Sequence, residues 1–298
     1  MRDAGRPGAG GSTVATPTTA GALMRAVADM LDRAGVATPG ADARWLVLHA
    51  LAWTAADLAL SGTRTLTETQ VAAVGRLAQR RAAREPLQLV LGGTEFRGHP
   101  LTLRPGVFVP RPETELLVEY ALALLPTDGT VVEPCTGSGA VACALGVERP
   151  TARVIATDRD PAAVELATHN ATALGAEIDV RRGDLLDPVP GALRGAVDVL
   201  VSNPPYLAAD EVAELPAEVA HWDPVAALVA GPTGHEVSDR LLTAAHHWLA
   251  PGGALLLELD ERRVAAAATR ARSGGLSNVR VRSDLTDRPR FLVAHHPG

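Results

Sequence analysis

The chain of 298 residues contains no lysine, only two cysteines and two tyrosines, and no apolar run near the roughly 20 residues that a membrane-spanning helix needs. Each absence excludes something. All of the cationic side chains are arginines and the formal net charge is −6, so a grip on long nucleic acid by phosphate neutralisation is not expected. Cys135 and Cys143 lack CxxC or histidine-rich spacing and read as free thiols, so no metal site is expected. His246-His247 and His295-His296 have no partners at ligand spacing and read as surface histidines. The N-terminus shows no charged segment leading into an apolar stretch and a cleavage site, which gives the expectation of a cytoplasmic protein without membrane contact.

What is present is 47% hydrophobic residues, enough for a sizeable core in one large or two smaller domains. Residues 1–17 are rich in Gly, Pro, Ser and Thr and read as a mobile tail. Over 18–84 the spacing is helical. Leu23, Val27, Met30 and Leu31 share one face, Trp45, Leu46, Leu48 and Leu51 mark a second helix, and Thr67 with Gln70 forms a capping box opening a third. The run Arg80 to Arg84 closes that helix as a solvated cationic end. Over 85–106 short β signals around Gly92-Gly93 and Gly98-His99-Pro100 predict a hairpin linker.

From 107 to 298 the pattern alternates. Apolar runs at Val131-Val132, Val154 to Ala156, Ile178 to Val180, Val197 to Val201 and Ala254 to Leu257 are separated by helical spacing, and two more follow near Val279 and Phe291. Such alternation predicts an α/β fold with a doubly wound parallel sheet, whose ligands bind beyond the carboxyl ends of the strands.

Three features fall at those ends. The first strand runs into Glu133-Pro134-Cys135-Thr136-Gly137-Ser138-Gly139, where glycines admit a ligand close to the backbone and expose helix N-terminal amides. The second ends at Asp158, an acid placed to accept ribose hydroxyls. Asp184, after the third, could border a base or simply cap a loop. These suit a nucleoside-bearing cofactor. The third feature is Asn203-Pro204-Pro205-Tyr206, in which two prolines end a strand and make a stiff loop. The Asn203 side-chain oxygen and the Pro204 carbonyl can accept both hydrogens of a planar NH2 while Tyr206 stacks on its face. Adenine, cytosine, and glutamine or asparagine side chains carry such a group. A dinucleotide oxidoreductase would have no use for this loop, and the turn lacks a full G-x-G-x-x-G. The segment Val107 to Glu115, containing Arg111, enters a helix after Pro112 and is placed to cover the pocket.

The chain resembles the HemK/PrmC class of S-adenosylmethionine-dependent N5-glutamine methyltransferases over about residues 20–295. The most specific matches are Arg84-Glu85-Pro86, Gly93-Thr94-Glu95-Phe96, Pro110 to Glu115, Thr136 to Gly139, Asp158 and Asn203 to Tyr206. The resemblance implies a Rossmann-like seven-stranded class I methyltransferase domain behind an N-terminal helical substrate-binding domain. It implies S-adenosylmethionine as cofactor, S-adenosylhomocysteine as product, and as partner a peptide-chain release factor methylated on the glutamine of its Gly-Gly-Gln loop. Cofactor contacts are then expected from Glu133, Cys135, Thr136, Gly137, Ser138, Gly139, Asp158, Asp184, Leu185 and Asn203. Asn203, Pro204, Pro205, Tyr206 and Arg111 would meet the substrate, with Asn203, Pro204 and Tyr206 catalytic. The chain departs from the family's pattern at Glu133-Pro134 (usually Asp-Leu), Leu259-Asp260 (Ile-Gly), Arg263 (Gln), Val225 (Arg) and Thr233 (Asp). Competing readings keep the chemistry and change the acceptor to a ribosomal-protein glutamine, a nucleic-acid amino group or a small molecule. Another makes the chain a non-catalytic binding protein.

Overall fold

The computed structural model describes residues 18–298, and the tail read at residues 1–17 lies outside the described residues. The chain divides into two compact units, one ending at Arg84 and the other spanning Glu85–Gly298.

The first unit is helical. α1 (Ala20–Arg33) starts where Thr19 Oγ1 accepts the Ala22 N–H at 3.2 Å, and it buries Val27 and Leu31. α2 (Pro39–Leu51) opens on Pro39, whose missing N–H costs nothing at a first-turn position. Its buried residues are Asp42, Ala43, Leu46, Val47 and Leu48, whereas Trp45 is 53% exposed and is not part of the core. α3 (Ala55–Ser61), held by a Thr54–Asp57 capping box, was not foreseen, being too short for periodicity to reveal. α4 (Glu68–Ala82) carries the expected Thr67–Gln70 box. Its end is not simply solvated. Arg81 is buried and donates to Asp42 of α2 at 2.7 Å, and Arg84 donates to the Gly35 carbonyl at 2.9 Å. Removing one partner of the buried pair would strand the other's charge, so the pair fixes α4 against α2.

The second unit begins with a helical turn where only β structure was expected, α5 (Leu87–Leu91), which buries Leu89 and Val90. The hairpin follows, as β1 (Gly93–Phe96) and β2 (His99–Thr102) in antiparallel register. Next come α6 (Thr114–Leu124), β3 (Thr130–Pro134), α7 (Ala140–Glu148), β4 (Arg153–Asp158), α8 (Pro161–Leu174), β5 (Ile178–Arg182) and β6 (Val197–Ser202). Beyond β6 lie a short parallel pair, β7 (Leu207–Ala208) and β8 (Val229–Gly231), with α9 (Ala217–Trp222) and α10 (Val225–Leu228) between them. The chain closes with α11 (Glu236–Trp248), β9 (Leu249–Glu258), α12 (Glu261–Ser273), β10 (Ser277–Ser283) and β11 (Pro289–His295).

The main sheet has seven strands in the order β10-β11-β9-β6-β3-β4-β5, parallel except for β11, which runs against both neighbours. Its central strands are apolar throughout because both faces are covered. Alternation along them splits the core: Val132, Ile155, Leu200 and Leu255 pack on one side with α11 and α12, and Val131, Val154, Val199 and Leu256 on the other with α6 and α7. The order matters for the site. The chain winds outward from β3 through β4 to β5, then returns to lay β6 on the other side of β3, so the loops after β3 and β6 diverge at a switch point and leave a crevice. No helix among the described residues is long and apolar enough to cross a membrane.

Candidate active site

The turn after β3 forms one wall of that crevice. Glu133 is buried, and one of its carboxylate oxygens accepts from Thr136 Oγ1 at 2.7 Å and from the Ala142 N–H at 2.9 Å, bracing the turn against α7. Burial pushes its pKa up to about 8, with the two hydrogen bonds opposing that rise. The backbone turns through φ 60° at Cys135, 57° at Gly137 and 80° at Gly139. Cys135 therefore holds a conformation that favours glycine, a local strain of the kind found where a ligand site fixes the backbone. Burial raises both thiols to about 12, so neither is a nucleophile at neutral pH. A Cβ on Gly137 would meet nothing within 4 Å, whereas one on Gly139 would come within 2.9 Å of the Ala167 methyl on α8. Gly137 thus faces the cavity. Gly139, expected at the cofactor, does not line it and instead lets α7 and α8 approach.

The buried Glu133 gives the fold a pH signature. A folded-state pKa above the unfolded value means the unfolded chain ionises first, so its contribution is intact at acid pH and is lost as pH rises from about 4.5 to about 8. Glu258, raised to about 7 chiefly by burial, acts with the same sign, while His235 and His295, lowered by burial, act with the opposite one. Glu133→Gln keeps an acceptor for Thr136 and Ala142. Its melting temperature is expected to fall less between pH 5 and pH 8 than that of the wild type, as read by thermal denaturation across that range.

Asp158 ends β4 opposite this turn. One oxygen accepts the Gly137 N–H at 2.9 Å and the other the Asp160 N–H at 3.0 Å, so both are aimed and each keeps a lone pair for a further donor. Partial burial raises its pKa, with the two amides opposing. Asp184 lies at the rim, paired to Arg240 at 2.7 Å, and Leu185 beside it holds φ 47° while its carbonyl accepts from buried Thr157.

The loop after β6 forms the opposite wall. Ser202 Oγ donates to the Pro134 carbonyl at 2.7 Å, and the Tyr206 N–H donates to the Leu228 carbonyl at 3.1 Å, tying both ends of the loop to neighbours. Between those ties, Asn203 Nδ2 donates to Thr114 Oγ1 at 3.4 Å. That use of the nitrogen leaves Oδ1 as the end of the amide for a ligand donor. Tyr206 is largely buried, which raises its phenol pKa and keeps it neutral.

One cavity is lined by Glu133, Cys135, Thr136, Gly137, Ser138, Asp158, Asp184, Leu185 and all of Asn203 to Tyr206. Arg111 does not line it. Its guanidinium is paired with buried Asp223 and lies 4.8 Å from the centre of the Phe108 ring, while Asp223 also accepts the Val109 N–H. Arg111 ties the 107–113 segment to the 223–224 loop, and Phe108 and Pro110 of that segment do line the cavity. The segment Val107 to Glu115, expected to cover the pocket, supplies Phe108, Pro110 and Thr114 to its lining, although neither Phe108 nor Thr114 was singled out, and sequence reading missed Arg159, Pro224 and Ala226 to Leu228. Most departures from the family pattern serve local structure: Asp260 caps α12, Thr233 is tied to Glu236, and buried Arg263 pairs with Glu211. Val225 is 55% exposed, and nothing around it explains the substitution. No cluster suited to a metal ion occurs among the described residues.

Residues 22–92 match the PrmC N-terminal domain and residues 101–219 the methyltransferase small domain. The chain is 42% identical over 276 residues to the release factor glutamine methyltransferase of Mycolicibacterium smegmatis, covering 91% of this chain and 95% of that one. Its identity to the enzyme of the same name from Deinococcus radiodurans is 40% over 278 residues, covering 93% and 98%. Among solved structures, a methyltransferase from Pyrococcus furiosus superposes with a TM-score of 0.52 at 22% identity, over 68% of this chain and 91% of that one, a likeness of fold.

Proposed function

The chain belongs to the release factor glutamine methyltransferase family, and from that premise we propose that it methylates the side-chain amide nitrogen of the Gly-Gly-Gln glutamine in a peptide-chain release factor. The observation that carries the reading is the Asn203 amide. Its nitrogen is engaged by Thr114 and its oxygen is left for a donor, in the same cavity as the Asp158 carboxylate.

The donor set fits S-adenosylmethionine. Asp158 offers two aimed acceptors for ribose hydroxyls, Gly137 leaves open space at the turn, and Leu185 and Phe108 give apolar wall for a base. When bound, S-adenosylmethionine supplies a methyl group on a positively charged sulfur. The protein's task is to present a poor nucleophile, because an amide lone pair is delocalised into its carbonyl. Asn203 Oδ1 and the Pro204 carbonyl would accept the two N–H hydrogens, fixing the nitrogen's orientation and raising its electron density. Tyr206 would stack on the amide plane, and the prolines keep the loop from relaxing away. On transfer the nitrogen would form its bond to the methyl carbon as the carbon–sulfur bond breaks and neutral S-adenosylhomocysteine is left, and one nitrogen proton would pass along one of those two hydrogen bonds to solvent. No general base of shifted pKa is required. Acceleration comes mainly from orientation and exclusion of water.

The helical unit is proposed to select the protein substrate. Labelled S-adenosylmethionine incubated with release factor, ribosomal protein and RNA in parallel tests both parts. Label is expected in the release factor with the full chain, and much less with residues 85–298, which should still bind cofactor. Label only in RNA or ribosomal protein would overturn the acceptor, and equal efficiency of the two chains would overturn the division of labour.

A further inference from the structure

The excursion between β7 and β8 ends in a stretch that lines the cavity with Pro224, Ala226, Ala227 and Leu228. The two residues just before it do not line the cavity and are anchored outside it. Trp222 packs against the buried cluster of Leu89, Leu103 and Val109. Asp223, whose side chain is 1% exposed, divides its carboxylate between two residues of the 107–113 segment: Oδ1 accepts the Val109 N–H at 3.4 Å and Oδ2 is paired with Arg111. Pro110 and Pro112 flank Arg111 and Pro224 follows Asp223, so both partners are presented by stiff backbone.

The same stretch is tied twice more. The Arg159 guanidinium, one residue past Asp158, donates to the Ala226 carbonyl at 2.9 Å, and the Leu228 carbonyl accepts the Tyr206 N–H at 3.1 Å. It is thus fastened to three parts of the cavity: the segment bearing Phe108, the strand end bearing Asp158 and the acceptor loop. The ties are unequal. Ala226 is exposed, so water competes for the Arg159 bond, whereas a carboxylate buried as deeply as that of Asp223 loses its cation only at a large cost.

We propose that Asp223 is a positioning residue which, through Arg111, latches the 224–228 stretch to the Phe108 segment and so sets how long the cofactor stays bound. The latch has this role only if the cavity holds S-adenosylmethionine, as proposed. A ligand lined by two segments of chain leaves fastest when they part, and the cost of parting them adds to its dissociation barrier. Parting these two takes Asp223 away from Arg111 and Val109. It also frees Phe108, an apolar wall of the cavity whose ring centre lies 4.8 Å from the Arg111 guanidinium. The partners are not equivalent. The Arg111 side chain is 33% exposed and can turn to water if Asp223 is neutralised, whereas Asp223 without Arg111 reaches water only if the stretch lifts.

Release of tritiated S-adenosylhomocysteine from the full-length protein into an excess of the unlabelled compound, timed by rapid filtration, tests the latch. Arg111→Met keeps bulk beside Phe108 but leaves the Asp223 charge uncompensated, and release is expected to quicken about 10- to 100-fold. Asp223→Asn still accepts the Val109 N–H and should quicken release less, about 2- to 5-fold. The double variant should release no faster than Arg111→Met alone, because a neutral amide needs no cation, whereas independent contributions would multiply. A pair that served only the stability of the fold would lower the melting temperatures of the variants and leave release from the folded protein at the wild-type rate. That result would overturn the proposal, as would multiplied effects in the double variant. If Arg111→Met does not fold, the milder Asp223→Asn decides, and release unchanged in it counts against the latch. Wild-type protein that binds no S-adenosylhomocysteine would refute the cofactor reading of the cavity and the latch with it, whereas binding with release unaltered in the variants refutes the latch alone.

Discussion

Asn203→Ala is expected to lower the single-turnover methylation rate by about 100- to 1,000-fold while cofactor binding survives, the loss typical of removing one preorganised group that acts on the reacting centre. The reasoning is geometric. Asn203 contributes its oxygen to the cavity and its nitrogen to Thr114, and alanine removes both. Asn203→Asp should fall between the two. It keeps an acceptor, but its second oxygen replaces the Nδ2 donor, so the hydrogen bond given to Thr114 Oγ1 that aims the side chain is lost. By the same logic Tyr206→Phe should cost little, since the face for stacking remains, and Tyr206→Ala considerably more. Rapid-quench rates with saturating cofactor check the series. Wild-type chemistry in Asn203→Ala would remove the loop from the mechanism.

Asp158→Ala is expected to weaken binding of S-adenosylhomocysteine by roughly 1.5 to 3 kcal/mol, or about 10- to 150-fold in dissociation constant, the usual worth of hydrogen bonds to a charged group. Two effects act together. The acceptors for the ribose disappear, and the Gly137 and Asp160 amides lose the carboxylate that orients the turn across the crevice. Asp158→Asn retains one acceptor and should lose less. Calorimetry distinguishes the cases, and an unchanged dissociation constant in Asp158→Ala would contradict the placement of the ribose.

Features set by short stretches of chain were legible in the sequence. The seven-stranded sheet announced itself through apolar runs too continuous for exposed strands, and the strand-end turn and the Asn203 to Tyr206 loop through glycine and proline at the stops. What sequence could not yield were pairings made by the fold. Arg81 and Asp42 are 39 residues apart, Asn203 and Thr114 89, and Arg111 and Asp223 112, and no local pattern links such residues. The Arg80 to Arg84 run was therefore misjudged as a solvated end, and the pairing of Arg111 with Asp223 was not foreseen. Trp45 lies on the second helix as expected, but its exposure was not legible, because a large apolar residue on a helix fits the periodicity whether or not its face is covered.

The central claim is that the Asn203 to Tyr206 loop presents the side-chain nitrogen of a release-factor glutamine for methylation. Fragmentation mass spectrometry of release factor incubated with the protein and S-adenosylmethionine tests it most directly. The account predicts a single methyl on the glutamine side-chain nitrogen of the Gly-Gly-Gln loop, absent when Asn203→Ala replaces the wild type. A methyl on any other residue, or the same product at the same yield from Asn203→Ala, would contradict it.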